Sequence, residues 1–217
     1  MVGPRVGRLH CVDASPAAVQ VARRNLQAHA NCSVTVASID SLPFEDASMD
    51  FGYSLGVLHH MPDPEAGLLS CVAKLKPGAP FLLYLYYALD HRPAWFRAIW
   101  RLHEGARRII CRLPFGLKVP VTTVIAALVY FPLARGALLA ERLGVDVEHF
   151  PLSTYRHRSM YSMRTDALDR FGTRLERRFR REEIALMMHE AGLREVKFSE
   201  RAPYWCAVGW RAAPERL

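Results

Sequence analysis

The 217-residue sequence contains no Cys-x-x-Cys pair and only five cysteines, Cys11, Cys32, Cys71, Cys111 and Cys206. An odd, scattered set argues against a disulfide framework and a clustered zinc site. It predicts a reducing, cytoplasmic setting and no metal. No apolar signal segment is visible near the N-terminus. There is no internal repeat and no low-complexity tract. There is also no block of like charge: 29 Lys and Arg against 21 Asp and Glu leave a net +8 that is spread along the chain. That pattern gives no sign of a nucleic-acid-binding arm. The longest uncharged run, Val119 to Ala134, has 16 residues and contains Pro120 and Pro132. A bilayer span takes roughly 20 apolar residues, so a buried or interfacial helix is expected instead.

What is present is a core-forming composition, 51% hydrophobic, and an alternation of short strands and helices. Arg8 to Val12 reads as a strand. Ser15 caps a helix with Pro16 at its first position. Ser33 to Ala37 and Phe51 to Leu55 are the next strands. Asp63 and Pro64 open a second helix. Phe81 to Ala88 is a near-continuous apolar strand of the kind buried on both faces. This order predicts a doubly wound α/β fold. From His91 to about Gly144 the pattern turns helical, with a kink expected at Pro132. Arg180 to Leu193 is a further helix stopped at Gly192. Two closing strands, joined by a short link, are expected to form an antiparallel hairpin. The division expected is 1–90 as an α/β core, 91–165 as a helical insertion and 166–217 as a helix and hairpin completing the sheet.

Three features lie where such sheets bind ligands, outside the carboxyl ends of strands. Asp13 ends the first strand, and a carboxylate there can accept both hydroxyls of a ribose. Asp40, beside Ser41, follows the second strand and can accept from an adenine amino group. Taken alone, it reads rather as the start of an Asx turn. "SLGVLHHMPDP" follows the third strand. Its Gly56 permits close backbone approach, and His59 and His60 precede a capped helix.

In sequence these three features stand as "VDAS", then "IDSLPFEDASMDFGYSLGVLHHMPDP", then "LKPGAPFLLY". In that order the chain resembles the class I S-adenosylmethionine-dependent methyltransferases, in particular the group that includes quinone-biosynthesis and other small-molecule enzymes. The likeness is close from Arg8 to about Ala88 and looser from Arg180 to Arg211. It implies a seven-stranded Rossmann-like sheet of order 3-2-1-4-5-7-6 and S-adenosyl-L-methionine as cofactor. It also implies that Asp13, Ala14 and Ser15 hold the ribose side, and Asp40, Ser41 and Leu42 the adenine side. Leu55, Gly56 and His60 would line the methionine side, with Phe44 beside the adenine.

One part of that pattern is missing. The family's first strand ends in a glycine-rich loop, often GxGxG. Only "MVGPRVGRLHCV" precedes Asp13, whereas a βαβ unit needs about 30 residues. The expectation is an N-terminally truncated fragment. Loss of strand 1 would leave a gap of about 10 Å, two strand spacings. Either its neighbours pair directly, or two edges stay unpaired.

The activity implied is methyl transfer to a small-molecule or lipid-like acceptor, with His60 as candidate general base. Tyr86, Tyr87 and Asp90 are weaker candidates for contact with it. No Asp-Pro-Pro-Tyr tetrapeptide follows the third strand, which speaks against methylation of a nucleic-acid base. The apolar, arginine-interleaved segment 92–144 is read two ways: as a helical cap on a core, or as a lid with peripheral membrane contact. Arg164, Arg174, Arg177, Arg178, Arg180 and Arg181 read as a solvated face and helix entry. The alternative to an enzyme is a non-catalytic remnant acting as an interaction or membrane-surface module. A nicotinamide dehydrogenase is a third reading, opposed by the Asp40–Phe44 and His59-His60 pattern.

Overall fold

Alternation at every second position builds the central strand. In Pro80–Tyr84 (β4) Phe81 and Leu83 are sealed from solvent while Pro80, Leu82 and Tyr84 are half-buried. The run is therefore buried fully on one face only, unlike the two-sided burial its composition suggests. The computed structural model describes residues 2–88, 94–147, 150–200 and 205–213. It divides into two compact units, Met1–Ala88 with Arg177–Leu217, and Leu89–Glu176.

In the first unit, Leu9–Asp13 (β1) pairs in parallel with Cys32–Val36 (β2). Gly52–Leu55 (β3) pairs in parallel with β4. The closing hairpin is antiparallel as expected, Leu193–Phe198 (β5) against Cys206–Arg211 (β6), and β6 pairs antiparallel with β4. The result is two sheets, β1-β2 and β3-β4-β6-β5. That is the implied order 3-2-1-4-5-7-6 with no strand, among the described residues, at its third place. Of the two outcomes expected for that place, the unpaired edges are the one observed. On β3 Tyr53 and Leu55 stay 39% and 49% exposed, as does Phe51 just before it at 39%.

Helices flank the four-stranded sheet. Pro16–Leu26 (α1) supports β1 and β2, and Pro64–Ala73 (α2) opens on the Asp63 cap, whose Oδ1 accepts from Ala66 N–H at 2.9 Å. Arg181–Glu190 (α7) ends at Gly192, which takes the left-handed φ of +89° that stops a helix. Leu58, Leu68, Val72, Leu75, Ile184 and Met188 join Phe81, Leu83 and Leu85 in one buried cluster.

The second unit is helical: Ala94–Ile110 (α3), Phe115–Ile125 (α4), Phe131–Arg142 (α5) and Met160–Gly172 (α6). Pro114 is the N-cap residue of α4. The kink expected at Pro132 is absorbed one turn earlier, by a π turn over Ala126–Tyr130. A proline lacks the N–H and crowds the carbonyl four residues back, and a widened turn relieves both. Met163, Ala167 and Phe171 of α6 pack with Ile110, Ala126, Tyr130 and Ala134. Helix α6 thus crosses the 165/166 boundary drawn from sequence, and the helical unit runs on to Glu176.

Candidate functional site

The β1–α1 turn is fixed by its own side chains. Asp13, the last residue of β1, is exposed, and its Oδ1 accepts from Ser15 N–H at 2.8 Å. Ser15 Oγ accepts from Ala18 N–H at 3.3 Å and caps α1. Ala14 lies between them, so the three residues named for the ribose side form one rigid turn at a strand's carboxyl end. No sequence rule beyond capping was needed to place them.

After β2, Ser38 caps a 3-10 turn over Ile39–Ser41. Its hydroxyl donates to Asp40 Oδ2 at 3.2 Å and accepts from Asp40 N–H at 3.4 Å. Asp40 is therefore a member of a turn that Ser38 caps, in place of an Asx turn of its own, and its carboxylate is exposed. Ser70 Oγ of α2 donates to the Ile39 carbonyl at 2.6 Å. This bond ties the turn of the two-stranded sheet to a helix of the four-stranded one. Ser41 is exposed, Leu42 is half-buried, and Phe44 packs on the His10 ring at 5.3 Å.

At the end of β3, Leu55 is exposed and Gly56 takes φ +73° while its N–H donates to the Tyr84 carbonyl at 3.0 Å. A Cβ at Gly56 would come no closer than 3.9 Å to His59 or Tyr84. The glycine is therefore required by its backbone angle and not by crowding. A 3-10 turn over Leu58–His60 follows. It sends His59 inward, wholly buried, and leaves His60 half-buried.

The surroundings of His59 carry the electrostatics. Its ring stacks on Tyr86 at 3.9 Å and lies 4.0 Å from the His60 ring. Arg178 sits over the other side of this cluster, its guanidinium 5.3 Å from the Tyr86 ring centre and donating to the Tyr87 carbonyl at 3.2 Å. Neither ring nitrogen of His59 has a hydrogen-bond partner among the described residues. Burial first, then the His60 and Arg178 charges, push its pKa down to about 3. His59 is thus a neutral packing ring at physiological pH, and His60 is the member of the pair open to a ligand. Protonation of His59 is disfavoured in the folded state and free in the unfolded one, so stability is expected to fall as pH drops from about 6.5 toward 3. Chemical denaturation between pH 7 and 4 should show this slope, and His59→Phe should flatten it. Equal slopes for the two proteins would contradict the assignment.

Sequence reading missed two members of this cluster. His59 could not be separated from His60 without knowing which way the turn faces. Arg178 lay in a stretch read as solvated. It reaches Tyr86 because Phe179 N–H donates to the Tyr86 carbonyl at 2.9 Å and Ala88 N–H to the Phe179 carbonyl at 2.7 Å. That pairing is non-local and leaves no periodic trace. Tyr87 forms a parallel bridge to Phe179. Asp90 lies outside the described residues.

The pattern is three turns at the carboxyl ends of three strands. One carries a ribose-competent carboxylate, one an adenine-competent carboxylate and backbone, and one a left-handed glycine beside an aromatic and histidine wall. Among the described residues no group of three or more His, Cys, Asp or Glu is placed to hold a metal ion.

Comparisons with known proteins bear on the fold. A family model described as "Methyltransferase domain" matches residues 2–83. A curated relative, Ubiquinone biosynthesis O-methyltransferase of Xanthomonas axonopodis pv. citri (strain 306), is 30% identical over 157 residues, covering 71% of this chain and 62% of the relative. The chain therefore spans less than two thirds of that relative's length. Among solved structures, an S-adenosylmethionine-dependent methyltransferase from Methanosarcina mazei superposes with a TM-score of 0.53 at 12% identity, over 98% of this chain and 86% of that one. The CurJ carbon methyltransferase gives a TM-score of 0.51 at 15% identity, over 98% of this chain and 44% of that one. At such identities the structural likeness speaks for the fold.

Proposed function

We propose that this chain is a class I S-adenosylmethionine-dependent methyltransferase and that it transfers a methyl group to a hydroxyl of a small, apolar acceptor. The carrying observation is the set of three turns at strand carboxyl ends, bearing Asp13, Asp40 and Gly56. Asp13 with the Ala14 and Ser15 backbone would hold the ribose, Asp40 and Ser41 the adenine with Leu42 along its face, and Leu55, Gly56 and His60 the methionine end. Bound S-adenosylmethionine supplies an electrophilic methyl on an already charged leaving group.

The chain's own share is then alignment, exclusion of water and one proton. The half-buried Tyr84, its ring edge-on to Tyr86 with centroids 6.1 Å apart at 61°, is the aromatic wall that suits an apolar or ring-bearing acceptor. His60, 6.0 Å from Tyr86, is the group that would take the acceptor hydroxyl's proton as the oxygen attacks. The relative's printed role as an O-methyltransferase supports oxygen as the methylated atom. All five cysteines are free, which supports a reducing, cytoplasmic setting.

Incubation with S-adenosylmethionine and phenolic or lipid-tailed quinol acceptors, with S-adenosylhomocysteine as readout, tests this. Product that depends on an apolar hydroxyl acceptor is expected. A second reading rests on the split sheet: among the described residues β1 and β3 each keep an unpaired edge, which suits a binding module without turnover. Cofactor binding with no product for any acceptor would favour that module.

A further inference from the structure

The helix from Phe115 to Arg142 breaks the rule for a water-facing surface. Such helices show polar residues on the exposed side. Here Leu117, Val124, Leu128 and Phe131, spaced 7, 4 and 3 residues apart, share one face and are 54%, 55%, 72% and 41% exposed. Polar atoms on this helix are turned inward to its own backbone: the Thr122 and Thr123 hydroxyls donate to the Lys118 and Val119 carbonyls at 2.8 and 2.7 Å. Helix α3 repeats the theme with charge added. Leu102 and Ile109 are 77% and 68% exposed, and the exposed Arg101 and Arg108 run directly alongside them.

We propose that α3, α4 and α5 form a docking face for an anionic membrane surface, with the helices lying in the interface. Charge selects this occupant over a second copy of the chain. Ala94–Arg142 carries eight Lys and Arg against two Glu; Arg107 is buried, and Lys118 and Arg135 donate to the Gly172 and Arg156 carbonyls, while Arg101, Arg108, Arg112 and Arg142 are exposed. Both glutamates are already paired within the unit, Glu104 with Arg107 at 2.6 Å and Glu141 with Arg156 at 2.7 Å. Two such faces would repel, whereas acidic lipid headgroups would neutralise the arginines while the leucines enter the acyl boundary.

The geometry also selects lying over spanning. The helix Phe115–Arg142 is long and apolar enough to cross a bilayer by length and composition. Its uncharged stretch, Val119 to Ala134, is 16 residues, about 24 Å at 1.5 Å per residue against a hydrocarbon core of about 30 Å. One side of it is committed to α6, a helix that carries the Arg170–Asp166 ion pair at 2.8 Å and cannot enter hydrocarbon with it. The inference does not depend on methyl transfer.

Flotation of the whole chain with vesicles tests it. Protein should float with phosphatidylcholine vesicles containing about a third phosphatidylglycerol, and be largely released at about 0.5 M salt. Val124→Glu with Leu128→Glu, both at exposed sites, should weaken binding at least about tenfold while leaving the circular dichroism unchanged. Arg101→Glu with Arg108→Glu should remove the preference for anionic vesicles. Failure to float at low salt overturns the proposal, as does binding insensitive to both double variants. A salt-stable dimer in sedimentation equilibrium that Leu128→Glu dissociates, with no vesicle binding, assigns the face to a second copy and overturns it too.

Discussion

Phe81→Ala is expected to destabilise the first unit by about 3–5 kcal/mol, the upper range for a core truncation. The reason is the register around this ring. Phe81 is paired with Gly52 on one neighbouring strand and with Gly209 on the other. The ring occupies the space Gly52 leaves, so closely that a Cβ there would fall 2.8 Å from it, while the space at Gly209 is taken by Leu193, Met188 and Val196. Removing the ring therefore opens a cavity that no adjacent side chain on β3 or β6 can fill. Leu75, at 3.1 Å from the same position, closes the site from below. Folded domains have a margin of only about 5–15 kcal/mol, so this loss is a large part of the whole. Denaturant midpoints of wild type, Phe81→Ala and Leu82→Ala decide it. The half-buried Leu82 should cost clearly less, and equal losses would contradict the packing described.

His60→Ala should lower kcat about 10²- to 10⁴-fold in the methyl-transfer assay, the usual range for loss of a positioned base. The comparison with His59 makes this sharp. The two rings are 4.0 Å apart, yet His59 is buried and held neutral down to about pH 3, so it cannot take up a proton near neutrality. His59→Phe should keep the same pH–rate profile, whereas His60→Gln should lose the acidic limb that reports the base. KM for the acceptor should move far less than kcat in His60→Gln. A profile unchanged in His60→Gln would leave His60 as a wall of the pocket and place no base on this turn.

Much of this was readable from the sequence, because the relevant forces are local. Caps at Ser15 and Asp63, the stop at Gly192 and the β-branched runs fix where elements begin and end. The carboxyl ends of three strands then follow, and with them Asp13, Asp40 and Gly56. What was not legible depends on non-local pairing. The bridge from Tyr87 to Phe179 brings Arg178 to the aromatic wall across 92 residues of sequence. The inward turn of His59 depends on which side of Leu58–His60 meets the core. The uncharged run at Val119–Ala134 showed its composition but not its exposure, since only packing against α6 decides which face is left bare. The π turn at Ala126–Tyr130 is similar: Pro132 announces a perturbation, and the tertiary contacts of Ala126 and Tyr130 decide its form.

The central claim is that Asp13, Asp40 and Gly56 together make a site for the adenosyl group. Titration calorimetry with S-adenosylhomocysteine on the intact chain tests it most directly, because it needs no acceptor and no turnover. Saturable one-to-one binding is predicted, weakened at least about tenfold by Asp13→Ala, which removes a charge-assisted acceptor for ribose hydroxyls. No heat with wild type, or binding indifferent to both Asp13→Ala and Asp40→Ala, would contradict the account.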